Sequence, residues 1–508
     1  MTIDKNLLEL PDVPDNFGWG GSYMHSWLKH FLTCLEYKFE NLDSVFGVGG
    51  GSLSLSIFDP ILFGDETFTP TTILDNNSSG NDLQDAINNA SANDVIRIDS
   101  DNVFNPVVIP AFKPLTIYSG NQYNPVIDAN NSKEYCILFN DQSQNVYIQG
   151  LELKNQSGSN TPGATDNAGA ICVASPARVR NIILKDLYIH HCTEAGIQFQ
   201  RMASVTNSPL SHEDMIRGIY IINCKTENCS INDTTENGGI TLYDCRDFMI
   251  VGCESFNNLR GINAVNSING FIVGNRTHNN TDAGIKLDSV PPNSFPLTVA
   301  TIIDNVSYSN GNEGIRLDDS SSAYVINNTV VNNTREGIYI EDLSRESYII
   351  NNISINNQYG LRIDDNLTRV IALYNNCYNN SVSNYNIGAN VLYSYSNMSL
   401  DIQSHFNDYS NNDFRLKINS PFNRCGYKLM PLGSLYQQSD PLTIAQAMSM
   451  AASRCAFFYN DLKGLTNLNE NAVDIGFEPT TSTDWNSVPD NVKDALDELA
   501  SRVKALGG

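Results

Sequence analysis

From Asn237 to Asp365 the chain alternates apolar and polar positions behind a recurring glycine, in the phrases NGGITL, RGINAV, AGIKLD, EGIRLD, EGIYIE and YGLRID. The glycines are Gly239, Gly261, Gly284, Gly314, Gly337 and Gly360, which by subtraction lie 22, 23, 30, 23 and 23 residues apart. Within a phrase, Ile315 and Leu317 share one side while Arg316 and Asp318 share the other, the period of a strand with one buried face. Weaker copies stand upstream, AGAICV at Gly169 and AGIQFQ at Gly196. Each repeat also holds a second apolar run, such as YVINNTVV (Tyr324 to Val331) or YIINNISI (Tyr348 to Ile355), and none has a helical period. Strands without a helix in about 23 residues predict one turn of a parallel β-helix, each strand pairing with its equivalent one coil away. The Leu-x-x-Leu-x-Leu frame of leucine-rich repeats is missing.

Asparagines mark the turns. Asn280, Asn310 and Asn333 lead TDAG, GNEG and TREG, whereas Asn258 and Asn357 lead LRG and QYG, so one turn varies by a residue and the period wavers. Stacked Asn side chains can hydrogen-bond along such a turn, and Asn tolerates the left-handed conformation.

These Gly-Ile-x-Leu repeats and Asn-rich turns resemble those of the right-handed parallel β-helix proteins, the pectin-lyase-like superfamily, over about Asp75 to Gly426. The resemblance implies an all-β, right-handed parallel β-helix solenoid, here with short α-helical segments at both ends. It leaves the activity open, because the superfamily includes lyases, glycoside hydrolases, epimerases, adhesins and phage tailspikes.

The expected organisation is residues 1–51 as a helical anchor with a Gly-rich linker, 52–437 as the capped β-helix and 438–508 as a helical region for oligomerisation or attachment. In the anchor, Met24, Leu28, Phe31, Leu35, Lys38, Leu42 and Val45 step by four and three, a heptad with one polar member. Leu83, Ala86, Ile87 and Ala90 predict a capping helix before the strand VIRID. Insertions at about Asn155 to Asp166, Arg201 to Arg217 and Ser289 to Thr298 interrupt the coils, and the last two follow the same strand of their coils. Insertions on one face often mark the binding face of a repeat protein. Asn411 to Gly426 resembles a closing β-helix strand, 443 to 460 reads as an apolar helix, and DWNSVPDNVKDALDELASRV resembles segments of bacteriophage structural and tail proteins.

With 56 acidic against 31 basic residues, a net charge of −25 and a pI near 4.5, nucleic acid and anionic membranes are excluded as expected partners. No apolar run is long enough to span a bilayer, and MTIDKNLLELPDVPDN lacks the pattern of a secretory signal. The expected setting is a virion, the chain being made in a host cytoplasm. Eleven cysteines without metal spacing read as buried thiols.

Four and five residues past the glycines stand Asp288, Asp318, Glu341 and Asp364, then Asp244, Asp319, Asp342 and Asp365. Stacked about 4.8 Å apart, they form an acidic ladder. Asp244, Asp288, Asp318 and Glu341 are the candidate catalytic carboxylates, since neighbours or next-neighbours span the separations used by glycosidases. Asp214, Asp244, Asp319, Asp342, Asp364 and Asp365 are candidate ligand contacts, with Glu213 and His212 beside Asp214. Asp318, Asp319, Glu341 and Asp342 form a candidate cation site, with Ca²⁺ as the fitting ion. Against catalysis, Lys286, Arg316 and Arg362 precede acids by two on the same outward side and favour ionised carboxylates, so a solvated charge ladder is expected. His190 and His191 alternate onto opposite faces of a regular strand and so are not expected to share a metal. The functional expectation is a tailspike- or fibre-like virion subunit that displays a host-binding, carbohydrate-binding β-helix, a homotrimer with other virion proteins as partners through its terminal segments. The alternatives are a polysaccharide hydrolase or lyase on the same solenoid and a surface adhesin.

Overall fold

The computed structural model describes residues 68–158, 168–174, 178–200, 215–230, 237–289, 298, 300–319, 323–341, 344, 347–364, 370–388, 391, 393–427, 430–434, 442–443 and 446–447. The anchor helix, its Gly-rich linker, the C-terminal heptad, His212, Glu213, Asp214, Asp342 and Asp365 lie outside these residues.

Three parallel sheets run the length of the described chain, with 13, 11 and 11 strands. Every strand pairs in parallel with its equivalent in the next coil, as in Ile315↔Ile338 and Leu317↔Ile340. One coil passes through the first sheet at Tyr324–Ile326, the second at Thr329–Val331 and the third at Glu336–Glu341. This is the parallel β-helix that the repeats predict. The inward side chains form one continuous core, from Leu83 and Ile87 to Leu361 and Cys377. The capping helix is Asp82–Asn89, with Leu83 and Ile87 fully buried over the first coil, and the strand Asp94–Ile98 follows it.

The Asn pairs divide two tasks between them. At the corner between the first and second sheets, Asp304, Asn327, Asn351 and Tyr374 take left-handed φ of 54°, 56°, 58° and 55°. The residues that follow them stack inward: Asn305 Nδ2 donates to Asn328 Oδ1 at 3.0 Å, Asn328 to Asn352 at 3.0 Å and Asn352 to Asn375 at 2.9 Å. The corner between the second and third sheets repeats this, with Asn279, Asn332 and Asn356 left-handed and Asn280, Asn310, Asn333 and Asn357 stacked at 2.9, 2.9 and 3.1 Å. Each stacked Oδ1 also accepts a backbone N–H, so a buried polar column is satisfied internally. The expected ladder is therefore present, and a second, unforeseen one runs parallel to it. The repeat glycines serve space, not left-handed φ: a Cβ on Gly337 would overlap Ser354 Oγ, and one on Gly284 would overlap Ser307 Oγ.

The stretch expected to close the stack does something else. Asp413–Leu416 pairs antiparallel with Phe406–Asp408, and Ile402, Phe406, Phe414, Leu416, Phe422 and Leu432 pack on the second sheet against Val306, Tyr308, Val331, Ile353 and Ile355. The outward residues of the second sheet here are largely apolar, and the strap removes them from water. The strap then runs back along the corner of left-handed residues. Tyr427 N donates to Asn351 Oδ1 at 2.8 Å, Asn327 Nδ2 to the Pro431 carbonyl at 2.8 Å, and Ser434 Oγ to the Asp304 carbonyl at 2.6 Å.

Candidate functional site

The outward face of the third sheet carries two columns in register. The first is Gln198, Thr241, Asn263, Lys286, Arg316, Tyr339 and Arg362. The second contains Gln200, Tyr243, Val265 and Asp288, then Asp318 beside Glu341. In the upper coils the face is built of amides: Gln198 Nε2 donates to Gln200 Oε1 at 2.7 Å and to Asn237 Oδ1 at 3.3 Å, and Asn237 Nδ2 donates to Glu194 at 3.3 Å. Lower down it becomes ionic. Both insertions that follow AGIQFQ and AGIKLD leave from this sheet, as the sequence indicates.

The ladder is not solvated, contrary to expectation. Lys286, Asp288 and Asp318 are 3%, 7% and 9% exposed. Lys286 Nζ sits 2.7 Å from Asp288 and 3.1 Å from Asp318, and Arg316 binds Asp318 at 2.9 Å and Glu341 in the next coil. Arg362 pairs with Glu336 at 2.8 Å and with Asp364 at 3.5 Å, and Tyr339 donates to Asp364 at 3.2 Å. Burial requires this interleaving, because an uncompensated carboxylate there would be costly. Burial works against the charge on Arg316, but Asp318 and Glu341 outweigh it and raise its pKa. Asp288, Asp318 and Glu341 thus each lie in an ion pair with Lys286 or Arg316. Asp244 and Asp319 stand apart from them, at left-handed corners with φ of 52° and 50°.

A second acidic column, missed in the sequence, lies at the entry to the same sheet. Glu313 and Glu336 directly precede the repeat glycines of GNEG and TREG, and both are fully buried. Neither oxygen of Glu313 has a hydrogen-bond partner, and Arg335 lies 3.7 Å away. Burial pushes the pKa of Glu313 up, with Arg316 opposing. Burial also acts on Asp282 in the preceding coil, but the charge and 2.7 Å hydrogen bond of Arg260 bring its pKa below the usual range. The Glu preceding Gly in two successive repeats was the available signal.

His190 and His191 come together after all, with their Nδ1 atoms 2.6 Å apart. His191 occupies a left-handed corner, φ 56°, where strand alternation ends. Burial lowers the pKa of His190, while Glu152 at 3.2 Å opposes that shift. Among the described residues, no group of three or more His, Cys, Asp or Glu could hold a metal ion. Of the candidate cation site, Asp318 pairs with Lys286 and Arg316, Glu341 pairs with Arg316, Asp319 forms a corner, and Asp342 lies outside the described residues. Of nine described cysteines eight are buried, and burial raises the thiol pKa of Cys377 to about 12.

Fold and face together define a parallel β-helix with a polar, internally neutralised track along one sheet, the fold shared by the pectin-lyase-like superfamily. A family profile described as periplasmic copper-binding protein (NosD) matches residues 178–295 and 294–423. Similar solved structures include the periplasmic alginate epimerase AlgG, at 14% identity, covering 69% of this chain and 89% of that one, with a TM-score of 0.42. Pectate lyase Pel9A is 12% identical over 73% of this chain and 97% of that one, with a TM-score of 0.38. The A-module of mannuronan C-5 epimerase AlgE4 from Azotobacter vinelandii is 12% identical over 63% and 93%, with a TM-score of 0.42. No curated protein matches the sequence.

Proposed function

We propose that this chain is a glycan-binding β-helix that holds its ligand without cleaving it, as a tailspike- or fibre-like subunit of a virion. The observation that carries this reading is the seven-coil column from Gln198 to Arg362, a row of fixed donors and acceptors about 29 Å long. Polyhydroxylated ligands are recognised by such preorganised groups, and a rigid track reduces the ordering cost of binding. Exposure rises towards its lower end, from the buried Gln198, Thr241, Asn263 and Lys286 to Arg362, whose side chain is 29% exposed, so ligand contact is expected to begin there. The virion setting, the homotrimer and attachment through the terminal helices rest on the sequence of the two ends.

The second reading, a polysaccharide-processing enzyme, has one specific observation in its favour. Glu313 and Asp282 are pushed apart in pKa, the signature of an acid and its ionised partner. A glycan array probed with the intact protein, beside an assay for new reducing or unsaturated ends, separates the two. Binding without turnover, weakened at least tenfold by Arg362→Ala, is the expected result. Turnover abolished by Glu313→Gln would replace the first reading by the second, and no binding to any glycan would overturn both.

A further inference from the structure

The corner that leads into the third sheet holds carboxylate oxygens that its cations do not satisfy. Arg260, Ala283, Glu313, Glu336 and Tyr359 directly precede the repeat glycines Gly261, Gly284, Gly314, Gly337 and Gly360. Backbone hydrogen bonds from Gly261, Gly284 and Gly314, with the pairing of Glu336 and Tyr359, set them in one column. Asp282, beside Ala283, is satisfied: Arg260 Nε donates to its Oδ2 at 2.7 Å and Asn312 Nδ2 to its Oδ1 at 2.5 Å. Glu336 is half satisfied, its Oε1 accepting from Arg362 at 2.8 Å. Three buried oxygens remain, both of Glu313 and Oε2 of Glu336, and none of them accepts a hydrogen bond. Buried acceptors without donors are costly, and the Asn column of the same corner shows how fully this fold satisfies its other buried groups there.

Arg335 stands over these oxygens without closing on them. Its Nη1 is 3.7 Å from Glu313 Oε1 and its Nε 3.7 Å from Glu336 Oε2, beyond hydrogen-bond reach, and its side chain is 48% exposed. Burial works most strongly against a charge on Glu313, Arg316 opposes that, and Asp282 and Glu336 add to it. A cation held against Glu313 supplies the countercharge that the corner lacks. Ala283 has the shortest side chain of the column, so the position next to Glu313 carries only a methyl group.

We infer that this corner is a binding subsite for a primary ammonium group, received by Glu313 Oε1, Glu313 Oε2 and Glu336 Oε2 when Arg335 swings outward. On the glycan-binding reading of the adjoining face, on which this assignment rests, the ligand is a glycan with free amino groups, not an N-acetylated one. A primary ammonium brings three N–H donors and no acceptor, one donor for each of the three oxygens. A sugar hydroxyl brings a single donor and leaves two of them unmet. The net charge of −25 draws a cationic ligand towards the chain. Arg335 is the internal competitor that such a ligand displaces.

Calorimetric titration of the intact protein with a β-1,4-linked glucosamine tetramer and with its fully N-acetylated counterpart tests the assignment. Thermal unfolding in ethylammonium chloride, against sodium chloride of equal ionic strength, tests the ammonium group without a sugar. The amino tetramer is expected to bind at least about tenfold more tightly than the acetylated one, as for the loss of hydrogen bonds to a charged group. Glu313→Gln keeps the shape of the side chain and is expected to abolish that preference. Arg335→Gln removes the competitor and is expected to tighten the amino tetramer severalfold, a gain that a merely structural arginine would not give. Ethylammonium is expected to raise the unfolding temperature of the native protein but not of Glu313→Gln. That rise without binding of either tetramer would keep the subsite and remove the glycan reading. Equal binding of both tetramers with no ethylammonium effect would overturn the subsite and leave the glycan reading in place. A response to any probe that Glu313→Gln leaves unchanged would overturn the subsite as well.

Discussion

The outer faces of the first and third sheets belong to the same coils and have opposite chemistry. On the first sheet, Ile326 and Ile350 are buried among apolar neighbours; on the third, Lys286 is buried and Arg316 partly buried among carboxylates. The inward residues of both are interchangeable aliphatics of one core. The comparison teaches that stacking fixes the spacing of side chains on every face, while the outward residues decide what each face meets. An apolar face needs only volume in its partner. An ionic face needs each charge in register with an opposite one, so it tolerates substitution far less.

Parallel substitutions break the comparison most sharply. Arg316→Met removes the cation between Asp318 and Glu341 and is expected to cost about 3 kcal/mol, as for a buried pair losing one partner. Ile326→Met, a swap of similar volume on the first sheet, is expected to cost less than about 1.5 kcal/mol. Thermal unfolding of the two variants reads the difference, and equal losses would mean that the ionic face contributes no more than packing. Next in size, Asn310→Ala interrupts the ladder at the corner that leads into the third sheet. It leaves the Asn280 amide without its acceptor and is expected to cost about 2 kcal/mol, seen as faster amide exchange at Asn280 and Thr281.

The smallest effect has the opposite sign. Because the folded pKa of Glu313 is raised, the folded state holds a proton that the unfolded state has released, and stability falls as pH rises above about 4.5. Glu313→Gln keeps the shape of the protonated acid and removes that loss. Its stability is expected to match the native protein at pH 4 and exceed it at pH 8. A difference that does not grow with pH would show that Glu313 is ionised in the fold.

The sequence by itself determined the coil. Gly239 to Gly360 at their spacing, the alternating Ile and Leu behind them and the Asn pairs each follow from contacts between equivalent positions one coil apart, which a repeat writes openly. Even the two roles within a pair, left-handed first and stacked second, were present in NNT and NNQ as order alone. The cations two residues before the acids likewise predicted ionised carboxylates. Only the tertiary structure decided how deeply those charges lie and which coil each one serves, since Arg316 reaches Asp318 in its own strand and Glu341 in the next. It also decided the path of residues 402–434, which pack on coils some 50 to 130 positions earlier in the chain. Such contacts join segments with no shared period, so no pattern along the chain records them.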